Sequence, residues 1–239
     1  MLSRFASESP VDRTRLETII GISFQNPDLL EQAFVHRSYL NENPGFRLPH
    51  NERLEFLGDA VLELVITEIL YERFPEKPEG ELTSLRAALV NANMLAAVGQ
   101  EIGLNEFLLL SRGEAKDTGR ARQYILANTF EALVGAIYLD QGYSAAHGFV
   151  TRVLVPRLAQ VLDEKLYRDP KSLFQEAAQE RVGITPSYEV LRESGPDHDK
   201  KFVVGVCLGR ELVSEGEGPS KQAAEVEAAR RAILARGWG

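Results

Sequence analysis

The stretch NERLEFLGDAVLELVITEIL, residues 51–70, decides how the longer part of the chain is read. Its apolar residues recur at helical spacing, so Leu54, Leu57, Gly58, Val61, Leu64 and Val65 are expected on the core face of one amphipathic helix. Advancing 100° per residue places Glu52, Glu55, Asp59 and Glu63 on the opposite side, within an arc of roughly 80°. Like charges three or four residues apart cost a helix a few tenths of a kcal/mol each. A surface helix normally interleaves Lys or Arg four residues on, and none follows these acids. A solvated acidic face and a face built for a cation both fit this spacing. Phe56 lies at the margin of the acidic arc, where a large aromatic is costly unless something covers it.

A second helix, expected within YILANTFEALVGAIYLD (residues 124–140), offers a matching face. Asn128, Glu131 and Gly135 share one side at i, i+3 and i+7, while Phe130, Leu133, Val134 and Ile137 turn inward. A small residue beside an acid leaves room for an ion or a substrate backbone. If the two helices lie side by side, Glu55, Asp59, Asn128 and Glu131 converge as oxygen donors. Such a set, without His or Cys, suits Mg²⁺ or Mn²⁺ and not zinc. It also disfavours a di-iron bundle, whose Glu-x-x-His motif does not occur. Hard cations held by carboxylates serve phosphodiester hydrolysis, by activating water and stabilising charge on the phosphate.

Around these two helices the helical period runs from about Arg13 to Lys165, through LETIIGISF, PDLLEQAFV and LTSLRAALVNANMLAAVGQEIGL, with turn signals at Asn43-Pro44-Gly45, Pro75 to Gly80 and Gly113 to Gly119. After Tyr167-Arg168-Asp169-Pro170 the period changes. A helix (KSLFQEAAQER) precedes three strand-like runs, PSYEVLRESG, KKFVVGVCLG and RELVSEGEG, and the helix SKQAAEVEAARRAILARG follows. The expected architecture is multidomain: an all-α domain over residues 1–165, a linker at 166–169, and a small α+β domain (α-β-β-β-α) over 170–239, its antiparallel sheet carrying both helices on one face.

The 239 residues are 44% hydrophobic and 26% charged, enough apolar material for proper cores. The single cysteine, Cys207, excludes an internal disulfide framework, fits a reducing compartment and is expected to be a buried strand thiol. No apolar run suggests a signal peptide or a membrane span, so a cytoplasmic protein without a membrane partner is expected. The net charge of −8 does not exclude a polyanionic partner, because phosphate binding depends on local clusters of Lys and Arg.

The block Asn51 to Leu62 (NERLEFLGDAVL) resembles the signature of the ribonuclease III family. AFVHRSY (33–39), Glu79-Gly80 followed by Leu85-Arg86-Ala87, and Ile125 to Asp140 resemble its other blocks in the same order. The α-β-β-β-α unit resembles the double-stranded-RNA-binding domain, with Gly195-Pro196-Asp197-His198 and Ser220-Lys221 at characteristic places. The resemblance implies an Mg²⁺-dependent endoribonuclease, with Mn²⁺ as a possible substitute. It would work as a homodimer on double-stranded RNA, leave 5′-phosphate and 3′-hydroxyl ends with short 3′ overhangs, and process ribosomal and other structured RNA. By position, Glu55, Asp59, Asn128 and Glu131 would hold the metal, with Asp59 and Glu131 indispensable to catalysis. Glu52 and Glu79 would line the same catalytic valley, and Phe56 would plug a dimer interface. Gln175 and His198 would reach minor grooves, which is where duplex RNA is read, while Ser220, Lys221 and Gln222 would face phosphates.

The chain departs from the family pattern at two of these places. Asn128 stands where an Asp is expected; its neutral carbonyl can still meet Mg²⁺, with less charge. The alternative that follows is a duplex-binding regulator with weak or no cleavage. Gln222 stands where a further Lys is usual, which implies one phosphate contact fewer and a shallower salt dependence. His36 to Tyr39 is read as packing between helices. Trp238 is read as frayed or as capping the last helix, and Arg112 to Arg122 either as a loop near the RNA or as a solvated loop.

Overall fold

The structure, a computed structural model, describes residues 11–164, 167, 169–196 and 200–238. The chain divides into two compact units, Met1–Tyr167 and Arg168–Gly239, each with its own core.

The first unit is helical. Its elements are α1 (Arg13–Ile20), α2 (Pro27–Ala33), α3 (Arg37–Glu42), α4 (Glu52–Arg73), α5 (Glu79–Val90), α6 (Ala92–Glu101), α7 (Arg120–Gln141), α8 (Tyr143–Val153) and α9 (Arg157–Asp163). Helix α7 runs through the middle. Its stretch from Leu126 to Ile137 is buried except at Asn128 and Glu131, which are half-buried, and Phe130 packs its ring against Phe149 of α8 at 5.8 Å. The apolar spacing from Leu82 to Leu104 is interrupted at Asn91, whose extended backbone ends α5 and whose side chain accepts from Met94 N to cap α6.

Helix α4 begins with Glu52 and Glu55 in its first turn, where the positive end of the helix dipole favours carboxylates, and ends with Arg73 in its last. Its start is held by Asn51. That buried amide donates to Ala33 O (2.9 Å) and its backbone N–H to Val35 O (2.9 Å), which fixes the first turn of α4 against the end of α2. The core stripe of α4 is Leu54, Gly58, Val61, Leu62, Val65, Ile66 and Leu70. Two residues of the expected core face depart from it: Leu57 is half-buried, and Leu64 is 57% exposed. The reason is the direction of packing, because α4 turns its Gly58 side onto α7 and leaves Leu64 on the side of Phe56.

Two glycines set that crossing. A Cβ at Gly58 would lie 1.8 Å from Glu131 O, and a Cβ at Gly135 would lie 2.3 Å from Leu54 O. The backbones of α4 and α7 therefore touch where any side chain would hold them apart. Gly135 makes room for a helix, not for an ion.

The second unit comprises α10 (Pro170–Val182), β1 (Ser187–Ser194), β2 (Lys201–Leu208), β3 (Glu211–Gly218) and α11 (Lys221–Arg236). The sheet order is β1-β2-β3, antiparallel throughout, with register shifts between Val190 and Arg192 and between Val206 and Cys207. Val206 and Leu208 join Phe174 and Ala178 of α10 and Ala228, Ala229 and Ala232 of α11 in one core. Here too glycine permits close contact: a Cβ at Gly216 would meet Ala228 N at 2.2 Å. Cys207 is half-buried, because its side of β2 is the one away from the helices. Trp238 is neither frayed nor only a cap. Its ring stacks on Phe174 at 5.5 Å, with the guanidinium groups of Arg181 and Arg236 over it at 5.9 and 5.7 Å.

Candidate active site and RNA-binding surface

The glycine crossing carries Glu55 and Asp59, on α4, up to Asn128 and Glu131, on α7. The Asn128 amide hydrogen-bonds the Glu55 carboxylate. Glu55 is half-buried and its pKa is raised, first by burial and then by Glu52 and Asp59, while the bond from Asn128 opposes the shift. Burial, with Asp59 and Glu55 facing it, pushes the Glu131 carboxyl up to about 7. Among the described residues no Lys or Arg pairs with Glu55, Asp59 or Glu131. Nor do three His, Cys, Asp or Glu side chains stand together closely enough to hold a metal as they lie. Oxygen donors are thus gathered on two touching helices with their negative charge uncompensated. Glu52 is next to them, 3.8 Å from Arg37 and 3.7 Å from His50.

An open cleft of about 540 Å³ extends from Glu55 and Asn128. Glu52, His36, Arg37 and Tyr124 also line it, as does Glu114. His36, expected only to pack between helices, caps α3 by accepting from Ser38 N. Its pKa is lowered by burial, with Glu114 and Glu52 opposing the shift. The stretch 112–122 is not one loop: Glu114–Lys116 forms a short 3-10 turn and α7 begins at Arg120. Only the AFVHRSY block signalled in sequence that this region matters, and spacing along the chain gave no hint that it meets 114–128.

Glu79 does not line this cleft. It sits in the first turn of α5, accepts from Thr83 (3.0 Å) and borders a different pocket, of about 430 Å³, with Thr67, Leu70, Tyr71, Leu82 and Arg86. Close by on α4, Phe56 is 82% exposed, Tyr71 73% and Leu64 57%; with Ala60 and Thr67 they make an apolar stripe along one side of the helix.

In the second unit Gln175 is exposed on α10. Ser220 caps α11, its Oγ accepting from Ala223 N at 3.1 Å. Lys221 and Gln222 follow exposed in the first turn, with Lys221 Nζ 5.8 Å above the Phe202 ring. His198 lies outside the described residues. Lys171, at the start of α10, is held by Glu225 at 2.5 Å and lies over the Tyr188 ring.

Residues 26–158 match the family model "Ribonuclease-III-like", and residues 170–235 match "Double-stranded RNA binding motif". Ribonuclease 3 of Desulforamulus reducens is 46% identical over 227 residues, 95% of this chain and 92% of that one. Ribonuclease 3 of Bdellovibrio bacteriovorus is 44% identical over 222 residues, 92% of this chain and 94% of that one. Among solved structures, the nuclease domain of ribonuclease III from Campylobacter jejuni superposes with a TM-score of 0.55 at 36% identity, covering 61% of this chain and 95% of that one. With a helical nuclease unit, a duplex-RNA-binding motif and full-length relatives at this identity, the chain belongs to the ribonuclease III family.

Proposed function

We propose that this protein is a divalent-metal-dependent endoribonuclease that cleaves double-stranded RNA as a homodimer, acting on ribosomal and other structured transcripts in the cytoplasm. The observation that carries the reading is the α4–α7 crossing, which gathers four oxygen-bearing side chains with no cationic partner among the described residues. The residues fit a hard cation. Three are carboxylates and one an amide, none is His or Cys, and Glu131 is half-buried beside Asp59 and Glu55 with no Lys or Arg paired to it among the described residues. Glu55, Asp59, Asn128 and Glu131 would hold Mg²⁺, or Mn²⁺ in its place.

When bound, the ion supplies activation of water and stabilisation of charge on the phosphate and the leaving oxygen. The chain's own part is placement. Asn51 fixes the first turn of α4, the two glycines fix its distance from α7, and the amide of Asn128 orients Glu55. In the hydrolysis, water oxygen bonds to phosphorus, the bond from phosphorus to the 3′ oxygen breaks, and the products are a 5′-phosphate and a 3′-hydroxyl. The second unit grips the duplex by its shape, with Gln175 and His198 toward minor grooves and Ser220, Lys221 and Gln222 toward the phosphates between them.

The exposed stripe of α4 supports the homodimer. Leaving Phe56 in water forgoes about 2 kcal/mol that burial would recover. In a two-fold pair the same patch meets itself, so Phe56 of one copy enters the Thr67–Leu70–Tyr71–Leu82 pocket of the other. The Campylobacter nuclease domain is itself described with a flexible region involved in dimer formation. Two such sites facing one duplex would cut opposite strands and leave short 3′ overhangs.

Incubation of the protein with a long RNA duplex and Mg²⁺ tests the reading. Discrete short duplexes with 5′-phosphates are expected; an intact duplex that only shifts in a gel would leave a binding protein disabled at Asn128.

A further inference from the structure

Two segments left outside the metal site meet on the wall of its cleft. The chain from Phe34 to Ser38 is bonded to the chain from Leu109 to Ser111. Leu109 N donates to Phe34 O (2.9 Å), His36 N to Leu109 O (3.1 Å) and Ser111 N to Ser38 Oγ (3.0 Å). His36 Nδ1 and Ser38 Oγ are 2.8 Å apart, which completes a rigid mount. Arg37 projects from this mount. Its side chain is 73% exposed, its guanidinium stays 3.8 Å from Glu52, and it forms no hydrogen bond among the described residues. Across the cleft, Tyr124 is 46% exposed; Arg120 stacks on its ring at 5.6 Å and donates to its hydroxyl at 3.1 Å.

The arrangement has an electrostatic logic. A cleft lined by Glu52, Glu55 and Glu114 repels an approaching polyanion, and a metal at Glu55 and Asn128 offsets that only at one end. The phosphates flanking the scissile one still have to lie along the wall. Arg37 is the only cation among the described residues that line it, and its fork of donors matches a phosphate. We infer that Arg37, faced by the Arg120–Tyr124 pair, forms a backbone subsite for the nucleotide next to the cut, with Arg37 bonding the flanking phosphate and the Tyr124 ring packing against its ribose. The subsite rests on the endonuclease reading, deepens it, and makes Arg37 an RNA-binding residue of the nuclease unit.

The test uses the whole 239-residue chain under single-turnover conditions. Its substrates are RNA duplexes carrying one neutral methylphosphonate, moved in turn through the positions on either side of the cleavage site. One flanking position is expected to slow the wild type about tenfold, the worth of one charge-assisted hydrogen bond, and to leave Arg37→Gln no slower than it already is on natural RNA. Arg37→Lys is expected to regain part of the sensitivity at that same position, which separates lost contact from lost fold. Equal slowing of wild type and Arg37→Gln at every position would overturn the subsite while the endonuclease reading stands, as would natural RNA cut equally fast by both. A wild type that cuts no duplex in Mg²⁺ or Mn²⁺ would overturn the endonuclease reading, and the subsite with it.

Discussion

Asn128 is the residue on which the chemistry of this chain turns. Its amide donates to Glu55, so it relieves part of the crowding among the acids while contributing no charge of its own. Asn128→Asp exchanges that donor for another carboxylate, and a divalent ion should bind more tightly as a result. The Mg²⁺ concentration giving half-maximal cleavage is expected to fall about three- to tenfold, read from a metal titration of the cleavage rate; an unchanged titration would show that charge at 128 is irrelevant. Glu131 gives a pH-dependent counterpart. A carboxyl whose folded pKa is raised from 4.5 to about 7 keeps a proton that the unfolded chain has already lost. Stability therefore falls as pH rises through that interval, and the full cost stands above it. Without metal, Glu131→Gln should raise the melting temperature by a few degrees at about pH 8, on the order of 2 kcal/mol, and leave it unchanged near about pH 4. Calorimetry in chelator at both pH values decides it; a variant that melts lower at the higher pH contradicts the burial argument. These acids were legible in sequence, because a 3.6-residue period predicts which side chains share a face. The roles of Arg37 and Tyr124 were not, because only a bridge between Val35 and Leu109, far apart along the chain, brings their surroundings together.

At the scale of elements, the crossing of α4 and α7 decides whether a site exists. Gly58→Ala would push a methyl group into the Glu131 carbonyl, and no rotamer can relieve a clash with backbone. The expected loss is about 2–4 kcal/mol in a urea melt, together with reduced cleavage as the carboxylates of the two helices separate. A variant as stable as wild type would mean that the helices part freely. The sequence showed both helices and the side on which each carries its acids. It did not show that Gly58 and Gly135 are partners, since a glycine's neighbour across a helix interface leaves no periodic trace. The break at Asn91 was hidden for a related reason: the apolar spacing runs through it unchanged, and only the cap bond to Met94 marks the boundary. The strands of the second unit were clearer, because β2 is a short, nearly continuous apolar run, buried along almost its whole length and followed by the turn at Gly209.

For the whole molecule, the change of period after Tyr167 suggests two units, and the structure forms two compact units, Met1–Tyr167 and Arg168–Gly239. Spacing alone left the purpose of Phe56 open, since a lone aromatic on a polar face reads the same whether it covers a neighbour or awaits one; only the family resemblance implied an interface plug. Phe56→Asp places a charge in the centre of the proposed interface. At micromolar concentration the wild type should sediment as a dimer and the variant as a monomer, with cleavage falling at least tenfold because both strands need a paired site. A variant that still sediments as a dimer would remove the α4 stripe from the interface.

Trp238 has one further consequence. It is the only tryptophan in the chain and it packs, half-buried, against the core of the RNA-binding unit, stacked on Phe174 and flanked by two guanidinium groups. Its indole emission is thus a label that the protein already carries. It is confined to one unit and sensitive to how α10 rests on the end of α11. Excited selectively, it reports the unfolding of that unit without a dye and without interference from the nuclease unit, which has no indole.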